Sequence, residues 1–380
     1  MRRWSAALIA IVMTAALMLV PASAEQPSAG KEGKCPVCGG TGKVPDPDCP
    51  KPSPYRWCTY TFKKYKSHGF GFLVCPACHG AQAEWDELMR EYKAWLEKRR
   101  ERIDKMVFGD DWEKYHIEHV EGRHFVVSGT IRPGIVYLGK KRVKMSAMDR
   151  AHLFLDRAED LFQNHFLPLL GLKEYTPEKK WEITMWSRTD ELLTAGNRLV
   201  GITQDCISTF QARLITVPDR GDDKTLYQAI VFNLGLLMVE EYKGFVDGGL
   251  PDWFWEGFAH YLEYEIFDNV ANNCNDEALG TSGLSGRHLR KRVKALVRRK
   301  RYPKITDFGE LNVSRLGAME RLVAWSLIDW IKNAYGPKKL ELFIRIVKRT
   351  KSQAQAFRDA IGVKYTDVMD EWAAWVRENY

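Results

Sequence analysis

Long apolar runs, internal repeats and low-complexity tracts are scarce in this sequence of 380 residues. After residue 20, no segment reaches the roughly 18 uninterrupted apolar residues that a membrane-spanning helix needs. Proline and glycine number 16 and 29 without a repeating period, which excludes a collagen-like chain. Eight cysteines are too few to staple a chain of this length by disulfides alone. With 45% hydrophobic and 12% aromatic residues, the chain should fold around a sizeable core, and its length predicts two or three domains.

The first 24 residues have the three parts of a secretory signal peptide. Arg2 and Arg3 precede an apolar run at 4–20, and Ala22-Ser23-Ala24 provides a small-residue cleavage site. A retained membrane anchor is the less favoured alternative, because the run is short for a bilayer span of about 20 residues. We expect a mature chain that begins at Glu25, lies in the periplasm or outside the cell, and has no integral membrane segment.

Composition divides the rest of the chain into four segments. A polar linker at 25–34 precedes a module rich in cysteine, glycine and proline at 35–82. Apolar residues spaced by three and four predict a connecting helix at 83–106. Residues 107–380 mix alternating and helical patterns, which predicts one α+β domain that is mostly helical in its C-terminal half. Within it we expect strands at 124–130, 181–186, 200–203 and 213–217, and helices at 148–170, 225–242 and 252–267.

Four of the cysteines form two C-x-x-C pairs. Cys35-Pro-Val-Cys38 is followed by Gly39-Gly40-Thr41-Gly42, and Cys75-Pro-Ala-Cys78 is followed by His79-Gly80. Two intervening residues let both thiolates of a pair reach one tetrahedral ion about 2.3 Å away, and the glycines let backbone amides turn toward the sulfurs. The module resembles the cysteine-rich zinc repeats of DnaJ-type chaperones, whose pattern is C-x-x-C-x-G-x-G. The resemblance implies a zinc-ribbon-like module with one structural zinc ion bound by Cys35, Cys38, Cys75 and Cys78. Two of that family's four repeats and its J domain are missing, so chaperone activity is not expected.

Two other interpretations of these cysteines stay open. Cys75, Cys78 and His79 also form C-x-x-C-H, the attachment motif of c-type haem, which would make the chain an electron-transfer protein. Haem leaves the matching pair at Cys35 unexplained, which favours zinc. Disulfides are the third possibility, because an exported protein meets an oxidising compartment. The remaining cysteines are predicted to form a Cys49–Cys58 disulfide and, at Cys206 and Cys274, either buried thiols or one long-range bridge.

The most distinctive segment reads Trp253-Phe254-Trp255-Glu256-Gly257-Phe258-Ala259-His260-Tyr261. It resembles the W-x-x-E-G-F-A-x-Y segment of gluzincin metallopeptidases, the peptidase MA-like clan. In that family a preceding helix carries H-E-x-x-H, and the glutamate of this segment is the third zinc ligand. The resemblance extends as a compatible order of elements from about residue 124 to the C-terminus. It implies a thermolysin-like (gluzincin) domain with Glu256 at the third-ligand position.

The residues that such a peptidase needs for hydrolysis are absent. Two imidazoles one helical turn apart must face the ion, and a carboxylate must take a proton from metal-bound water. The family spacing puts the histidine positions on Asn233 and Leu237, or on Phe232 and Leu236, in a helix without histidine. We therefore expect a catalytically inactive relative in which apolar side chains fill the former metal cavity.

Such a relative would bind a peptide or a cell-envelope polymer, through the former substrate cleft or the aromatic-rich helix at 253–264. Glu256 and His260 are then vestigial, and the plainer interpretation is a hydrogen-bonded pair one helical turn apart. An active zinc metallopeptidase with unorthodox ligands is the enzyme alternative.

Two further sets of residues bear on possible partners. His116, His119 and His124 suggest a second metal site, since His116-x-x-His119 has helical ligand spacing, although surface histidines are the plainer interpretation. A basic stretch at 287–304 contains no acid and indicates either a solvated helix face or an anionic partner such as nucleic acid, lipid or polysaccharide. Its cationic residues are Arg287, Arg290, Lys291, Arg292, Lys294, Arg298, Arg299, Lys300, Arg301 and Lys304.

Overall fold

The computed structural model describes residues 34–45, 57–58, 72–138, 140–201, 207–209, 214–219, 223–244, 249–271 and 284–380. The segments predicted to be a signal peptide and a linker lie outside these ranges, apart from residue 34. So do Cys49, Cys206, Cys274 and the side chain of Cys58, so the Cys49–Cys58 disulfide and the state of the other two thiols stay predictions.

Short strands build one mixed sheet and two small antiparallel pairs. The strands of the described residues are β1 Lys43–Pro45, β2 Trp57–Cys58, β3 Phe72–Val74, β4 Glu118–Glu121, β5 Phe125–Gly129, β6 Gly134–Leu138, β7 Lys141–Met145, β8 Trp181–Trp186, β9 Ile207–Thr209 and β10 Leu214–Pro218. The six-stranded sheet has the order β2-β4-β5-β8-β10-β9, while β1 pairs with β3 and β6 with β7. Strands β5, β8 and β10 run parallel, so the residues that follow them meet at one edge of the sheet.

Helices dominate the chain after the last strand. The α-helices of four or more residues in the described ranges are α1 Gln82–Arg99, α2 Ala147–Asp160, α3 Thr189–Val200, α4 Asp223–Glu241, α5 Asp252–Phe267, α6 Leu289–Arg298, α7 Ile305–Phe308, α8 Ala318–Trp330, α9 Pro337–Thr350, α10 Gln353–Ala356 and α11 Val368–Asn379. Two single turns, Met106–Phe108 and Leu167–Leu169, are also α-helical. Wider π-helical turns extend α1 over Arg100–Lys105, α2 over Leu161–Phe166, α8 over Ile331–Tyr335 and α10 over Phe357–Ile361.

The two faces of the sheet differ in polarity because side chains alternate along each strand. On β8, Trp181, Ile183 and Met185 belong to the main hydrophobic core, which also contains residues of α2, α4 and α5. Glu182 lies on the opposite face and forms ion pairs with Arg99 at 3.2 Å and with Arg102 at 2.6 Å. Helix α1 and its π-helical extension therefore cover the polar face.

Helices α4, α5 and α8 cross at close range because glycine lies at the crossing points. A Cβ added to Gly235 in α4 would lie 3.1 Å from the Cα of Ala259 in α5. At Gly257 in α5, an added Cβ would lie 2.7 Å from the backbone carbonyl carbon of Ala324 in α8. Real Cβ atoms do not approach backbone this closely, so glycine at 257 fixes the packing around its neighbour Glu256.

The α+β class predicted from the sequence is confirmed. The helices expected at 225–242 and 252–267 are also confirmed, with ends that shift by two residues or fewer. The helix expected at 148–170 is α2 followed by its π-helical extension and the turn Leu167–Leu169. The strand expected at 200–203 is wrong at Val200, which ends α3; Gly201 then adopts a left-handed φ of 73° and stops the helix.

One pairing crosses the boundary predicted at residue 82. Strand β2, from the cysteine-rich segment, pairs with β4 at the edge of the main sheet, with Trp57 opposite Glu121. The cysteine-rich segment therefore contributes a strand to the sheet. In the described part of the chain, no helix combines the length and apolarity required to cross a membrane.

Candidate functional site

The four cysteines of the two C-x-x-C pairs form one cluster. Their sulfur atoms all lie within 4.8 Å of one another, with 3.8 Å between Cys35 and Cys75 and 3.6 Å between Cys38 and Cys78. Thiolates bound 2.3 Å from a common tetrahedral ion would be about 3.8 Å apart. All four are free thiols rather than disulfides. The cluster can therefore hold a metal ion.

Backbone geometry explains why the two pairs converge. Antiparallel pairing of β1 with β3 aligns them, and the Cys75 amide donates to the carbonyl of Gly42 at 2.8 Å. Gly42 has a φ of 73°, and a Cβ there would lie 2.6 Å from the amide nitrogen of Ala81, so only glycine permits this approach. His79, with a φ of 50°, takes the left-handed conformation that Gly39 takes after the first pair. The same turn therefore follows each pair despite the different residue.

Hydrogen bonds from backbone amides favour the thiolate forms of Cys38 and Cys78. Desolvation opposes ionisation of the Cys38 thiol, but hydrogen bonds from the Gly42 and Gly40 amides outweigh it and lower its pKa to about 6. At Cys78 the Gly80 amide favours the thiolate, whereas the neighbouring Cys38 sulfur and desolvation raise the pKa to about 12. The pair thus retains a proton that a bound metal ion would displace.

Helix α5 carries a buried ion pair at the position that the gluzincin resemblance singles out. Arg321 of α8 donates from Nη1 to Glu256 Oε2 at 2.7 Å, and the two side chains are only 5% and 4% exposed. The same guanidinium donates to the carbonyl oxygens of Leu316 at 3.1 Å and Val313 at 3.0 Å. The Glu256 carboxylate is therefore neutralised by a cation of the chain itself.

The ion pair continues into a polar chain along α5. His260 Nε2 lies 3.5 Å from Glu256 Oε2, and His260 Nδ1 lies 3.1 Å from Glu263 Oε2. Glu263 Oε1 accepts from Gln228 Nε2 of α4 at 2.6 Å and from the Ala271 amide at 2.8 Å. Every side chain in this polar network is buried, so the network joins α4, α5 and α8 in the interior.

The four positions predicted to replace the histidines of a peptidase lie in α4 and are buried. The Phe232 ring packs 4.7 Å from the His260 ring, and Phe232, Leu236 and Ala259 form a small apolar cluster. Asn233 donates to the Ala229 carbonyl at 2.8 Å, and Leu237 belongs to the main core.

Most aromatic side chains of the helix at 253–264 are buried. Trp253, Phe254, Phe258 and Tyr261 lie in the main core, whereas Trp255 and Tyr264 are partly buried, so ligand binding by this helix stays a prediction. Their spacing marks a helix surrounded by protein, and sequence alone does not separate that case from an exposed aromatic face.

The three histidines considered as a second metal site do not converge. His116 is exposed and contacts Glu118 at 2.6 Å, whereas His119 is buried and His124 contacts Glu159 at 2.6 Å. Helical spacing is wrong for this segment, because Glu118–Glu121 is a strand. Among the described residues, the cysteine cluster alone brings three or more potential metal ligands together.

A buried Asp–His–Ser chain went unrecognised in the sequence. His119 Nε2 lies 3.0 Å from Asp104, and His119 Nδ1 lies 2.9 Å from the hydroxyl of Ser128, which also accepts from Arg99 at 2.7 Å. These residue types form hydrolase triads, but Ser128 is fully buried, so no substrate reaches its hydroxyl. The chain therefore joins the extension of α1 to the polar face of the sheet.

The basic stretch forms the exposed face of α6 and the loop after it. Leu289, Val293 and Val297 anchor the helix in the core. Arg290 pairs with Asp329 of α8 at 3.2 Å. Other cations on this face are exposed and form no ion pair within the described ranges; we call them the α6 basic surface, and they are Arg287, Lys291, Arg292, Arg298, Arg299, Lys300, Arg301 and Lys304.

Comparisons with known proteins leave the chain without an assigned relative. No protein-family model matches it, and neither the curated proteins nor the solved structures contain a match.

Proposed function

We propose that this protein is an exported, non-hydrolytic binding protein that pairs a structural zinc module with a gluzincin-like domain lacking its catalytic metal. The observation that carries the proposal is the buried hydrogen bond from Arg321 to Glu256.

The charge of Arg321 is incompatible with a catalytic zinc ion at Glu256. A guanidinium 2.7 Å from the carboxylate would lie within a few ångströms of a metal bound there. Two cations at such a separation in a buried site repel strongly, since an effective dielectric constant of about 20 gives about 4 kcal/mol per unit charge pair at 4 Å. Apolar Phe232 and Leu236 offer no compensating ligand from α4. The active-peptidase alternative therefore requires ligands from elsewhere.

Zinc is the metal that best suits the cysteine cluster. Four thiolates at tetrahedral separations are the donor set of a closed structural zinc site, which leaves no position open for substrate. The same separations favour zinc over haem, because haem attachment would use Cys75 and Cys78 and leave Cys35 and Cys38 beside them without a role.

The α6 basic surface supports an anionic cell-envelope polymer as the binding partner. Its cations lie on a helix anchored in the core and on the residues that flank that helix, so binding would not require the helix to fold first. Clustered charge without neutralising acids attracts a polyanion over roughly a Debye length, about 8 Å at physiological salt.

Two assays test the proposal, one for binding of an anionic polymer and one for the absence of peptide hydrolysis. We expect the mature protein to be retained by immobilised alginate, a carboxylated polysaccharide, in a salt-sensitive manner. The triple substitution Lys291→Gln, Arg298→Gln and Arg301→Gln should weaken retention at least ten-fold. The control substitutions Lys140→Gln, Lys141→Gln and Lys144→Gln remove the same charge from the β6–β7 hairpin and should have little effect on retention. Equally weakened retention of both triple variants would refute binding through the α6 basic surface. Stronger retention by duplex DNA or by phosphatidylglycerol vesicles would show that this anion, rather than the polymer, is the partner.

The second assay is cleavage of a broad peptide library with added zinc. We expect no cleavage above that of a heat-denatured control. Chelator-sensitive cleavage that Glu256→Gln abolishes would establish the active metallopeptidase instead, and a Soret band in the purified protein would establish haem.

A further inference from the structure

A cavity of about 540 Å³ lies at the carboxyl edge of the parallel strands β5 and β8. Thr130 follows β5 and Ser187 follows β8, and both line it. In sheets with parallel strands, ligands bind outside the carboxyl ends, where the chain leaves the sheet in different directions. Gly129 permits this geometry, because a Cβ there would collide with the carbonyl oxygen of Met185. Neither the cysteine cluster nor Glu256 lines this cavity.

Two buried carboxylates line the cavity, and neither forms an ion pair with a lysine or arginine of the described residues. Glu191, 6% exposed, accepts at Oε2 from the hydroxyls of Thr130 at 2.5 Å and Ser187 at 3.2 Å, and its Oε1 has no hydrogen-bond partner among the described residues. Glu118, 4% exposed, is contacted by the exposed His116 at 2.6 Å. Lys114 and Arg132 also line the cavity, but both are exposed, Lys114 pairs with Asp111 at 2.5 Å, and neither pairs with Glu118 or Glu191. Because a buried carboxylate without a cation is costly, the cavity favours a positively charged occupant.

The walls are suited to an apolar body attached to that charge. Ile131, Met148 and Pro133 line the cavity, together with the Tyr115 ring, which stacks on Phe108 at 3.7 Å between centroids. An aromatic face beside carboxylates suits an organic cation. A bare divalent ion is less suited, because these residues do not form one of the potential metal-binding groups in the described chain.

We propose that this cavity binds a small molecule with a primary ammonium group on an apolar body. The hydroxyls of Thr130 and Ser187 hold Oε2 of Glu191, which leaves Oε1 to accept from the ammonium, and Glu118 supplies the second negative charge. The inference does not rest on the function proposed above, because it involves neither metal nor the α6 basic surface.

Calorimetric titration with benzylamine and with benzyl alcohol, which has the same ring without the charge, tests this proposal. We expect saturable benzylamine binding to the wild-type protein and binding of benzyl alcohol at least ten-fold weaker. Glu191→Gln keeps an acceptor for both hydroxyls but removes the charge, so it should weaken benzylamine binding by about ten- to hundred-fold. Glu174→Gln, at an exposed glutamate that does not line the cavity, should leave binding unchanged.

If Glu191→Gln fails to fold, as judged by circular dichroism, Glu118→Gln provides the same comparison, because the only side chain that pairs with Glu118 among the described residues is the exposed His116. Absence of saturable benzylamine binding would overturn the proposal. Equal affinity for the amine and the alcohol, or binding unaffected by the loss of either carboxylate, would overturn it as well. Glu191 would then be a structural residue of the first turn of α3.

Discussion

Replacing Arg321 by methionine should destabilise the protein far more than a surface substitution. The side chain of Glu256 is 4% exposed, so Arg321→Met removes the guanidinium that pairs with a carboxylate in the interior. Removing one partner of a buried ion pair costs about 3–5 kcal/mol. The carbonyl oxygens of Val313 and Leu316 lose donors as well, which places the expected loss at the upper end of that range.

A double-mutant cycle measured by urea unfolding isolates the pair. Glu256→Gln alone should cost less, because Arg321 keeps two carbonyl acceptors and the glutamine retains an acceptor oxygen. Combining Arg321→Met with Glu256→Gln should recover about 1–3 kcal/mol relative to the sum of the single substitutions. The matched control is Arg345→Met, whose pair with Glu341 is half exposed at the guanidinium and one helical turn apart, and which should cost about 0.3–0.5 kcal/mol. An Arg321→Met cost below about 1 kcal/mol, or strict additivity in the cycle, would refute the reasoning.

Three further predictions follow from other parts of the molecule. Cys75→Ser should abolish the bound zinc, about one ion per chain measured by plasma mass spectrometry, whereas Glu256→Gln should leave it unchanged; zinc retained by Cys75→Ser would contradict the four-thiolate site. Gly257→Ala should lower the free energy of unfolding by about 1–3 kcal/mol despite alanine's better helix propensity, because its Cβ meets the backbone of Ala324, and a stabilised variant would show that α5 and α8 can separate freely. Burial holds the pKa of His119 below its ordinary value although Asp104 opposes the shift, so the unfolded state takes up a proton that the native state does not. Stability should therefore fall as pH decreases below about 6.5, and His119→Gln should show a shallower fall in acid unfolding curves; identical slopes would exclude this contribution.

The sequence was most informative where local spacing determines the structure. Two residues between Cys35 and Cys38, with glycines after them, indicated the geometry of each pair, which is a property of a few consecutive residues. The resemblance to DnaJ-type repeats implied that the two pairs converge, and they do. The apolar composition of α4 likewise indicated side chains that would be buried, and Phe232, Leu236 and Leu237 are. The burial of most aromatic side chains in α5 was not anticipated, since burial depends on neighbours that local sequence does not specify.

Contacts between distant segments lay beyond the sequence reasoning. Arg321 is 65 residues from Glu256, and no spacing rule connects them. Glu118, Thr130 and Glu191 meet only because β5 and β8 are adjacent and parallel, a pairing that single-strand patterns do not determine. The pairing of β2 with β4 escaped prediction for the same reason, since two residues are too few for an alternating pattern.

The most direct test of the account is diffraction from crystals of the mature protein grown with zinc, recorded on both sides of the zinc absorption edge. We predict one strong anomalous peak, equidistant from the sulfurs of Cys35, Cys38, Cys75 and Cys78, and none beside Glu256, where Arg321 occupies the carboxylate. A second peak within coordination distance of Glu256, with Arg321 displaced, would contradict the account.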